Sequence, residues 1–571
     1  RKSKYAGGLG LDVTPFRSSG SHIKGTNGSS SGIIPWLKIF NSLLVAVNQG
    51  GKRPGAGCAY LEPWHLDYED FLNLRRNTGD DRLRCHDLHT ASWVPDRFMR
   101  AVIAEEKWHM FDPNECPELH EFFGEAFDKK YDFYCKKAEA GDITNFKIVE
   151  AKDLWKKMLK VLFETSHPWN TFKDACNIRY TNQHEGVVHS SNLCTEITLH
   201  TTASQYKEGV KTEIGETAVC NLGSINLRNH IRESYDTKGV LLKRDMNWTA
   251  LGETVNLAIR MLDNVIDLNF YPTQEARSSN LRHRPIGLGL MGIHDVLHLL
   301  DIGMDSKESL AFNDKLFEFY SRQAILASTT LAAERGAYNS FIGSLWDQGV
   351  LPLDSWNMLM EYRGQKKSHK THFDWEDVRK SIKDSGMRNS NVMAIAPTAT
   401  IGYINGVEQS VEPNFSVLFV YENKSGNFYI TNEHFVRDSK EKGIWSPELA
   451  ALIKKVDGDL SALNGDIPSE LKEKYKTAFD RDMFMLIEIN AARQKWMDQS
   501  ISFNLYNNGT SLKYLNDLYI KAWEAGLKTT YYLRNRAATK TEKSTDKTEE
   551  EEVVACGLGA PENGEICESC Q

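Results

Sequence analysis

Val392-Met393-Ala394-Ile395 is a short apolar run that closes a long helical region, and Ala396-Pro397-Thr398-Ala399-Thr400 follows it directly. Four apolar residues ended by a proline turn signal form the pattern of a short strand. From about Glu185 onward, runs of this kind alternate with helical stretches. That alternation predicts an α/β barrel.

Upstream of that run, Gly287-Leu288-Gly289-Leu290-Met291-Gly292 matches the dinucleotide-binding fingerprint letter for letter. The preceding Arg282-His283-Arg284-Pro285-Ile286 lacks the apolar run of a first strand, so the glycines are expected to serve strand-to-helix packing in the barrel. A nicotinamide enzyme stays open as a different kind of chemistry. Asp96 to Asn177 has Trp, Phe and Leu at helical spacing and is expected to be helical scaffold. Near the start, Arg17 to Gly32 is rich in Ser, Gly and Asn and is expected to be a loop, with Pro35 then opening a helix to about Gln49. Its stripe of Trp36, Phe40, Leu43, Leu44 and Val47, widened by Leu37 and Ile39, suits either core or a subunit interface. Gly50 to Gly57 is flexible and basic.

Three features carry chemistry. In Asn192-Leu193-Cys194-Thr195-Glu196 an extended backbone would turn Asn192, Cys194 and Glu196 to one side, placing a thiol between an amide and a carboxylate. Tyr531 and Tyr532 are adjacent near the end. The chain finishes Cys567-Glu568-Ser569-Cys570, beyond a Lys-, Thr- and Glu-rich stretch from Ala538 to Glu552 that is expected to be disordered.

The 571 residues allow three or four domains or one decorated barrel. A net charge of −8 gives no support for a nucleic-acid surface, so a phosphate site must be local. No apolar stretch reaches the roughly 18 residues of a membrane span and no charged-then-apolar leader opens the chain, so a cytoplasmic protein is expected. The ten cysteines do not form a secreted disulfide pattern. Cys58, Cys85, Cys116, Cys135 and Cys176 lack metal-ligand spacing and are expected to be structural, and no metal is expected in the chain.

The segment Ser190 to Ile197 resembles the active-site finger of the large, catalytic alpha subunit of class I ribonucleotide reductase. Ala396 to Thr400, Thr530-Tyr531-Tyr532-Leu533-Arg534 and the terminal dithiol resemble the same family in the same order, and the likeness runs the whole length. It implies a ten-stranded α/β barrel with a central finger loop, helical decorations and a disordered C-terminal tail. The implied parts are effector-specificity loops and a dimer helix over 1–57, a mainly helical part over 58–177, the barrel core over 178–537 and a redox-active tail over 538–571. Since the chain opens with Arg1 in mid-pattern, an N-terminally incomplete sequence is expected, with the cysteine that pairs with Cys220 and any ATP cone upstream.

The resemblance also implies roles. Cys194 would become a thiyl radical that takes hydrogen from the ribose 3′ carbon, with Glu196 as base on the 3′ hydroxyl and Asn192 orienting it. Cys220 would belong to the reducing pair. Tyr531 and Tyr532 would relay the radical from a metal-containing small (beta) subunit, and Cys567 and Cys570 would carry electrons from thioredoxin or glutaredoxin. Substrate ribonucleoside diphosphate would lie against Gly8, Asn192, Leu193, Cys194 and Glu196, with Pro397, Thr398, Ala399, Thr400 and Ile401 on its phosphates, where hydroxyls and helix-start amides suit an anion. Lys4, Arg17, Lys24 and Gly25 would bind dNTP or ATP allosteric effectors, and the subunit would dimerise. No covalently bound cofactor, nucleic acid or membrane partner is implied.

Other readings compete residue by residue. Cys194 could be a buried small hydrophobe, though Asn192 and Glu196 are poor core neighbours. Cys220 could sit at a quiet strand end, the tyrosines could be core, and Thr398 could be a plain helix cap. A lone Cys-x-x-Cys supplies half a zinc site, and Cys556 has no assigned role. At the level of the whole protein, an adenosylcobalamin-dependent reductase and a non-catalytic nucleotide-binding paralogue remain.

Overall fold

The computed structural model describes residues 4, 7–47, 55–365, 369–423, 426–463, 465 and 467–536. Arg1–Asn535 forms one unit, and of the second, Arg536–Gln571, only Arg536 is described. Cys567, Cys570, Cys556 and the stretch from Ala538 therefore lie outside the described residues, as does most of the Gly50–Gly57 loop.

Two sets of parallel strands build the frame. In the first, Leu9–Asp12, Gly57–Leu61, His89–Val94 and Trp169–Phe172 pair in that order, with Leu9 opposite Gly57, Cys58 opposite His89 and Ala91 opposite Trp169. Gly57–Leu61 and Trp169–Phe172 are buried at every position, as expected of parallel strands covered on both faces. In the second, Asn221–Asn226 pairs with Ile286–Met291, Leu288 bridges Met393 and Ile395 bridges Ile501, while Leu505–Asn507 pairs with Leu533–Asn535. Val392 to Ile395 thus takes its expected place as a fully buried strand-like run. Thr171 and Thr529 form an antiparallel bridge, and Thr530 N–H donates to the Asn170 carbonyl at 3.1 Å, so the last strand segment joins the two sets.

Helices clad this frame. Lys307–Arg335 starts at Ser306, whose hydroxyl accepts the Ser309 N–H, and packs against Trp248–Leu268 and Met483–Gln494. Val417, Phe435, Leu449, Ile453 and Tyr475 make a separate small core.

The structure departs from the sequence reading at several points. Arg17 to Gly32 is largely a hairpin, Ser19–Ile23 against Gly28–Ser31. Its turn uses Asn27 at a φ of 51°, a conformation asparagine tolerates better than most residues, so the composition that suggested a loop marks a turn between polar strands. The Pro35 helix spans Ile34–Ala46. Asp96–Asn177 also contains strands: Lys107–Phe111 pairs with Phe146–Glu150, and Trp169–Phe172 belongs to the first sheet. Aromatic residues that suit helical spacing suit buried strands equally well.

The glycine-rich string lies in the strand Ile286–Met291, and Gly292, at a φ of 78°, leads into the helix Ile293–Leu299. A Cβ on Gly287 would lie 2.6 Å from Leu222 Cδ2 and 2.9 Å from Ala394 Cβ, and one on Gly289 would lie 2.8 Å from the Ala394 carbonyl oxygen. These glycines let neighbouring strands approach, so the packing they serve is strand against strand and not the strand-to-helix packing expected of them.

Candidate active site

The finger from Ser190 to His200 has no regular secondary structure, and Thr195 has a φ of 68°. A left-handed residue in the middle breaks the alternation that an extended segment would impose, so that argument does not explain why Asn192 and Glu196 share a face. A turn does. Asn192 Nδ2 donates to Glu196 Oε1 at 3.0 Å, and the Ser191 hydroxyl donates to the Ile197 carbonyl at 2.6 Å.

Residues from both strand sets hold the turn in place. The Tyr60 hydroxyl donates to the Asn192 carbonyl at 2.6 Å and the Ser500 N–H to the Glu196 carbonyl at 2.9 Å. Ser502 donates to the Cys194 carbonyl, and Thr529 to that of Thr195. On the remaining side the glycines of Gly7-Gly8-Leu9-Gly10 admit the finger. A Cβ on Gly8 would lie 3.1 Å from Leu193 Cβ, and one on Gly10 would lie 1.7 Å from the Ser191 carbonyl oxygen.

The thiol and the carboxylate are both tuned by burial. Burial first, and the Glu196 charge second, push the Cys194 thiol up to about 12, which keeps it neutral near pH 7. Glu196 is pushed up to about 7 by burial, against hydrogen bonds from its own backbone N–H, Asn192 and Ser502. It can therefore gain and lose a proton near neutrality. The Tyr531 hydroxyl donates to Cys194 Sγ at 3.5 Å, and the Tyr531 and Tyr532 rings lie 4.3 Å apart, tilted by 53°. Both residues precede the strand Leu533–Asn535, so the departure from alternation that a tyrosine pair requires is present. Burial raises both phenols, which stay protonated. Trp169 packs against both rings, at 4.7 and 5.1 Å, and the hydrogen-bonded pair His89 and His167 flanks Tyr532.

Cys220 immediately precedes the strand Asn221–Asn226 and packs with Leu193, Cys194, Tyr531 and Tyr532 against one apolar cluster that includes Tyr60, Trp93 and Ala394. Cys58, expected to be structural, is a buried free thiol in the same cluster. Thr398 follows the buried run ending at Ile395, has a φ of 46° and precedes the short helix Ala399–Ile404. Its hydroxyl accepts the Ser410 N–H at 2.7 Å, so it is not a side-chain cap of that helix. Ala399, Thr400 and Ile401 are exposed where the chain leaves the strand, the usual end of an α/β sheet for ligands. Lys4 and Arg17 are exposed, and Lys24 and Gly25 sit at the exposed hairpin tip, apart from the buried thiols.

Sequence reasoning missed Tyr60, Gln499, Ser502 and Trp169. Gln499-Ser500-Ile501-Ser502 is a buried run that bridges Ile395 through Ile501, and its local spacing does not mark these residues.

Among the described residues, one group could hold a metal: His200, Glu216 and His283, whose donor atoms lie within 4.8 Å of one another. Each is already engaged. His200 Nε2 and His283 Nε2 meet Glu216 Oε2 at 3.0 and 2.8 Å, the Tyr180 hydroxyl meets His200 Nδ1 at 2.7 Å, and Ser340 Oγ meets His283 Nδ1 at 2.6 Å. Arg282 adds a cation 3.2 Å from Glu216 Oε1. Burial works to raise Glu216, but these hydrogen bonds hold its carboxyl below the usual range. The arrangement is a polar clasp between the finger's base and the chain entering Cys220.

The family model described as ribonucleotide reductase, barrel domain, matches residues 1–533. The chain is 50% identical over 545 residues to the ribonucleoside-diphosphate reductase subunit alpha of Chlamydia pneumoniae, covering 95% of this chain and 50% of that one. It is 37% identical over 548 residues to the large subunit of that reductase from Plasmodium falciparum, covering 96% and 64%, and 36% identical over 571 residues to the one from Variola virus, covering 100% and 68%. The chain thus spans about half the length of the chlamydial relative.

Proposed function

Because this chain belongs to the ribonucleotide reductase barrel-domain family, we propose that it is the catalytic core of the large subunit of a ribonucleoside-diphosphate reductase. The reaction replaces the 2′ hydroxyl of a ribonucleoside diphosphate by hydrogen, releases water and converts a dithiol to a disulfide. One observation carries the radical form of this reading: the Tyr531 hydroxyl lies 3.5 Å from Cys194 Sγ, with the Tyr532 ring beside it. A tyrosine pair leading to the thiol suits a radical delivered from outside and favours a small-subunit partner over adenosylcobalamin.

In this reading the metal-containing small subunit supplies the oxidising equivalent. Cys194 loses its hydrogen atom to the Tyr531 oxygen, so an S–H bond breaks and an O–H bond forms. A neutral thiol is the required donor, which agrees with the upward shift that burial gives Cys194. The thiyl then takes the 3′ hydrogen while ionised Glu196 accepts the 3′ hydroxyl proton, and Asn192 orients both groups. Cys220 and a second thiol supply two electrons and close as a disulfide. Thioredoxin or glutaredoxin would restore them through Cys567 and Cys570 by thiol–disulfide exchange. Pro397 to Ile401 would hold the diphosphate beside Gly8 and Leu193.

Lys4, Arg17, Lys24 and Gly25 are proposed to take the dNTP or ATP effector. Self-association is proposed through Ile34–Ala46, where Trp36, Ile39, Leu43 and Val45 are each more than half exposed while Leu37 and Leu44 face the core. An apolar face of that kind suits a second copy.

The test combines the full-length protein, its small subunit, cytidine diphosphate and dithiothreitol. Deoxycytidine diphosphate formed only with both subunits is the expected result. Turnover that needs adenosylcobalamin and no small subunit would move the protein to the cobalamin class, and nucleotide binding without turnover would make it a paralogue.

A further inference from the structure

Ser502 is buried beside the finger, and its N–H donates to the Ile395 carbonyl at 2.9 Å, which fixes its backbone to the run Val392–Ile395. Two oxygens of the finger lie within reach of its hydroxyl: the Cys194 carbonyl at 2.5 Å and Glu196 Oε2 at 3.2 Å. A hydroxyl carries one hydrogen, so it serves one of the two at a time. The other carboxyl oxygen, Glu196 Oε1, already accepts Asn192 Nδ2 at 3.0 Å.

Charge on Glu196 decides which acceptor wins. An ionised carboxylate draws the Ser502 hydrogen into a charge-assisted bond, roughly twice as strong as a neutral one, and the Cys194 carbonyl loses that donor. A neutral carboxyl is the weaker acceptor, and its own O–H can turn to the Ser502 oxygen. The Ser502 hydrogen then goes to the closer Cys194 carbonyl, and both contacts are satisfied together. The other titratable groups around the carboxyl do not change charge in this range. Tyr60 on Gly57–Leu61, Cys220 ahead of Asn221–Asn226, Tyr531 ahead of Leu533–Asn535 and Cys194 itself are all raised, chiefly by burial, and stay neutral where Glu196 titrates at about 7. Asp498, on the same run as Ser502, gives its carboxylate to the N–H groups of Val392 and Met393.

We propose that Ser502 is a positioning residue that couples the proton on Glu196 to the peptide group of Cys194, holding the Cys194 carbonyl when Glu196 is neutral and releasing it when Glu196 is ionised. Its use in turnover rests on the reading of the finger as a reductase centre. There Glu196 gains the 3′ hydroxyl proton as the Cys194 sulfur takes the 3′ hydrogen, so the backbone of Cys194 is held as that step completes and is freed when the proton is returned. No covalent bond of Ser502 is made or broken; its hydrogen changes acceptor.

The experiment uses the full-length protein labelled with carbonyl-13C cysteine and 15N threonine, so that only Cys-Thr peptides give a correlated signal. Cys194-Thr195 is the one such pair in the 571 residues, and Cys194→Ser, which deletes its signal, assigns it. In wild type the Cys194 carbonyl is expected to leave its downfield, hydrogen-bonded position as pH rises, with a midpoint at about 7. Ser502→Ala should hold the upfield position at every pH. Glu196→Gln should hold the downfield one, since its amide is always neutral and can donate to Ser502. Ser502→Thr, which keeps the hydroxyl, should titrate as wild type does. Turnover is expected to fall about tenfold in Ser502→Ala, the scale of one hydrogen bond, and to recover in Ser502→Thr. A wild-type carbonyl that does not titrate, or one that titrates unchanged in Ser502→Ala or Glu196→Gln, would overturn the proposal, and Ser502→Gly replaces the alanine variant if that one does not fold. A wild-type enzyme that forms no deoxynucleotide would defeat the reductase reading, while the carbonyl titration would still decide whether Ser502 couples Glu196 to Cys194.

Discussion

The Tyr531 hydroxyl points its hydrogen at Cys194 Sγ across 3.5 Å. The contact joins the last strand segment to the middle of the finger, and it is held from both sides: Tyr531 N–H donates to the Phe503 carbonyl, while Ser502 on the same run donates to the Cys194 carbonyl. Both residues are thus anchored through their backbones to the same run. A hydrogen atom needs only a short step along that line.

Tyr531→Phe removes the oxygen and keeps nearly all the volume, so the fold is expected to hold with a melting temperature within about 2 °C of wild type. Turnover should fall below a few per cent, because phenylalanine cannot form the phenoxyl radical. Cys194→Ser is expected to do the same while substrate binding stays nearly intact, since a serine O–H bond is too strong to give up its hydrogen atom. Steady-state assays with calorimetry check both. Substantial turnover in either variant removes the relay.

Glu196 sets a pH dependence whose sign follows from its raised value of about 7. The base form is needed, so kcat/KM is expected to rise with pH through about 7. Glu196→Gln should abolish that limb along with most activity. Stability runs the other way. A carboxyl that holds its proton more tightly when folded than when unfolded loses native stability as pH rises from about 4.5 to about 7, by roughly 3 kcal/mol for a fully buried group. Glu196→Gln should therefore unfold at a higher temperature than wild type at pH 8 and show no such gain at pH 4. A variant less stable than wild type at pH 8 would contradict the raised value.

Much of this was legible in the residues. The apolar run at Val392–Ile395 pointed to the barrel, and the thiol, amide and carboxylate of the finger were read as the site. Asn192 and Glu196 do meet, although not for the stated reason, since Thr195 turns the chain where alternation assumed extension. Gln499 and Tyr60 could not be found in this way. Each acts across a long stretch of sequence, Tyr60 on Asn192 and Gln499 on Cys220, and local spacing carries no information about such contacts. The hairpin at Ser19–Ile23 and Gly28–Ser31 was hidden for a different reason: its strands are serine-rich and largely exposed, so they lack the apolar alternation that marks a strand.

The tail cysteines make a separable prediction, argued from sequence because they lie outside the described residues. A Cys567→Ser/Cys570→Ser double variant is expected to fail with thioredoxin and to regain multiple turnovers with dithiothreitol. Cys220→Ser removes a thiol packed in the same cluster as Cys194 and should gain nothing from dithiothreitol. Equal rescue of both would refute the division of labour, and zinc bound tightly by the intact tail would favour a structural role.

Gly10 tests the seat of the finger. A methyl group there would lie 1.7 Å from the Ser191 carbonyl oxygen, 2.8 Å from its carbon and 3.1 Å from Asn192 Cα, all of them backbone atoms that no rotamer change can move. Gly10→Ala must push the finger or the strand Leu9–Asp12 aside by an ångström or more. Overpacking of this kind costs about 1–3 kcal/mol. The functional loss should exceed what that cost implies, because a displacement near 1 Å of reacting groups lowers rates about 100-fold. Gly509→Ala is the control, since nothing lies within 4 Å of a Cβ at that position. Thermal unfolding and single-turnover product yield, measured on both variants, separate the two effects. If Gly10→Ala keeps more than about a tenth of wild-type turnover, the finger tolerates movement, and the close approach of Gly10 to Ser191 is packing without consequence for Cys194.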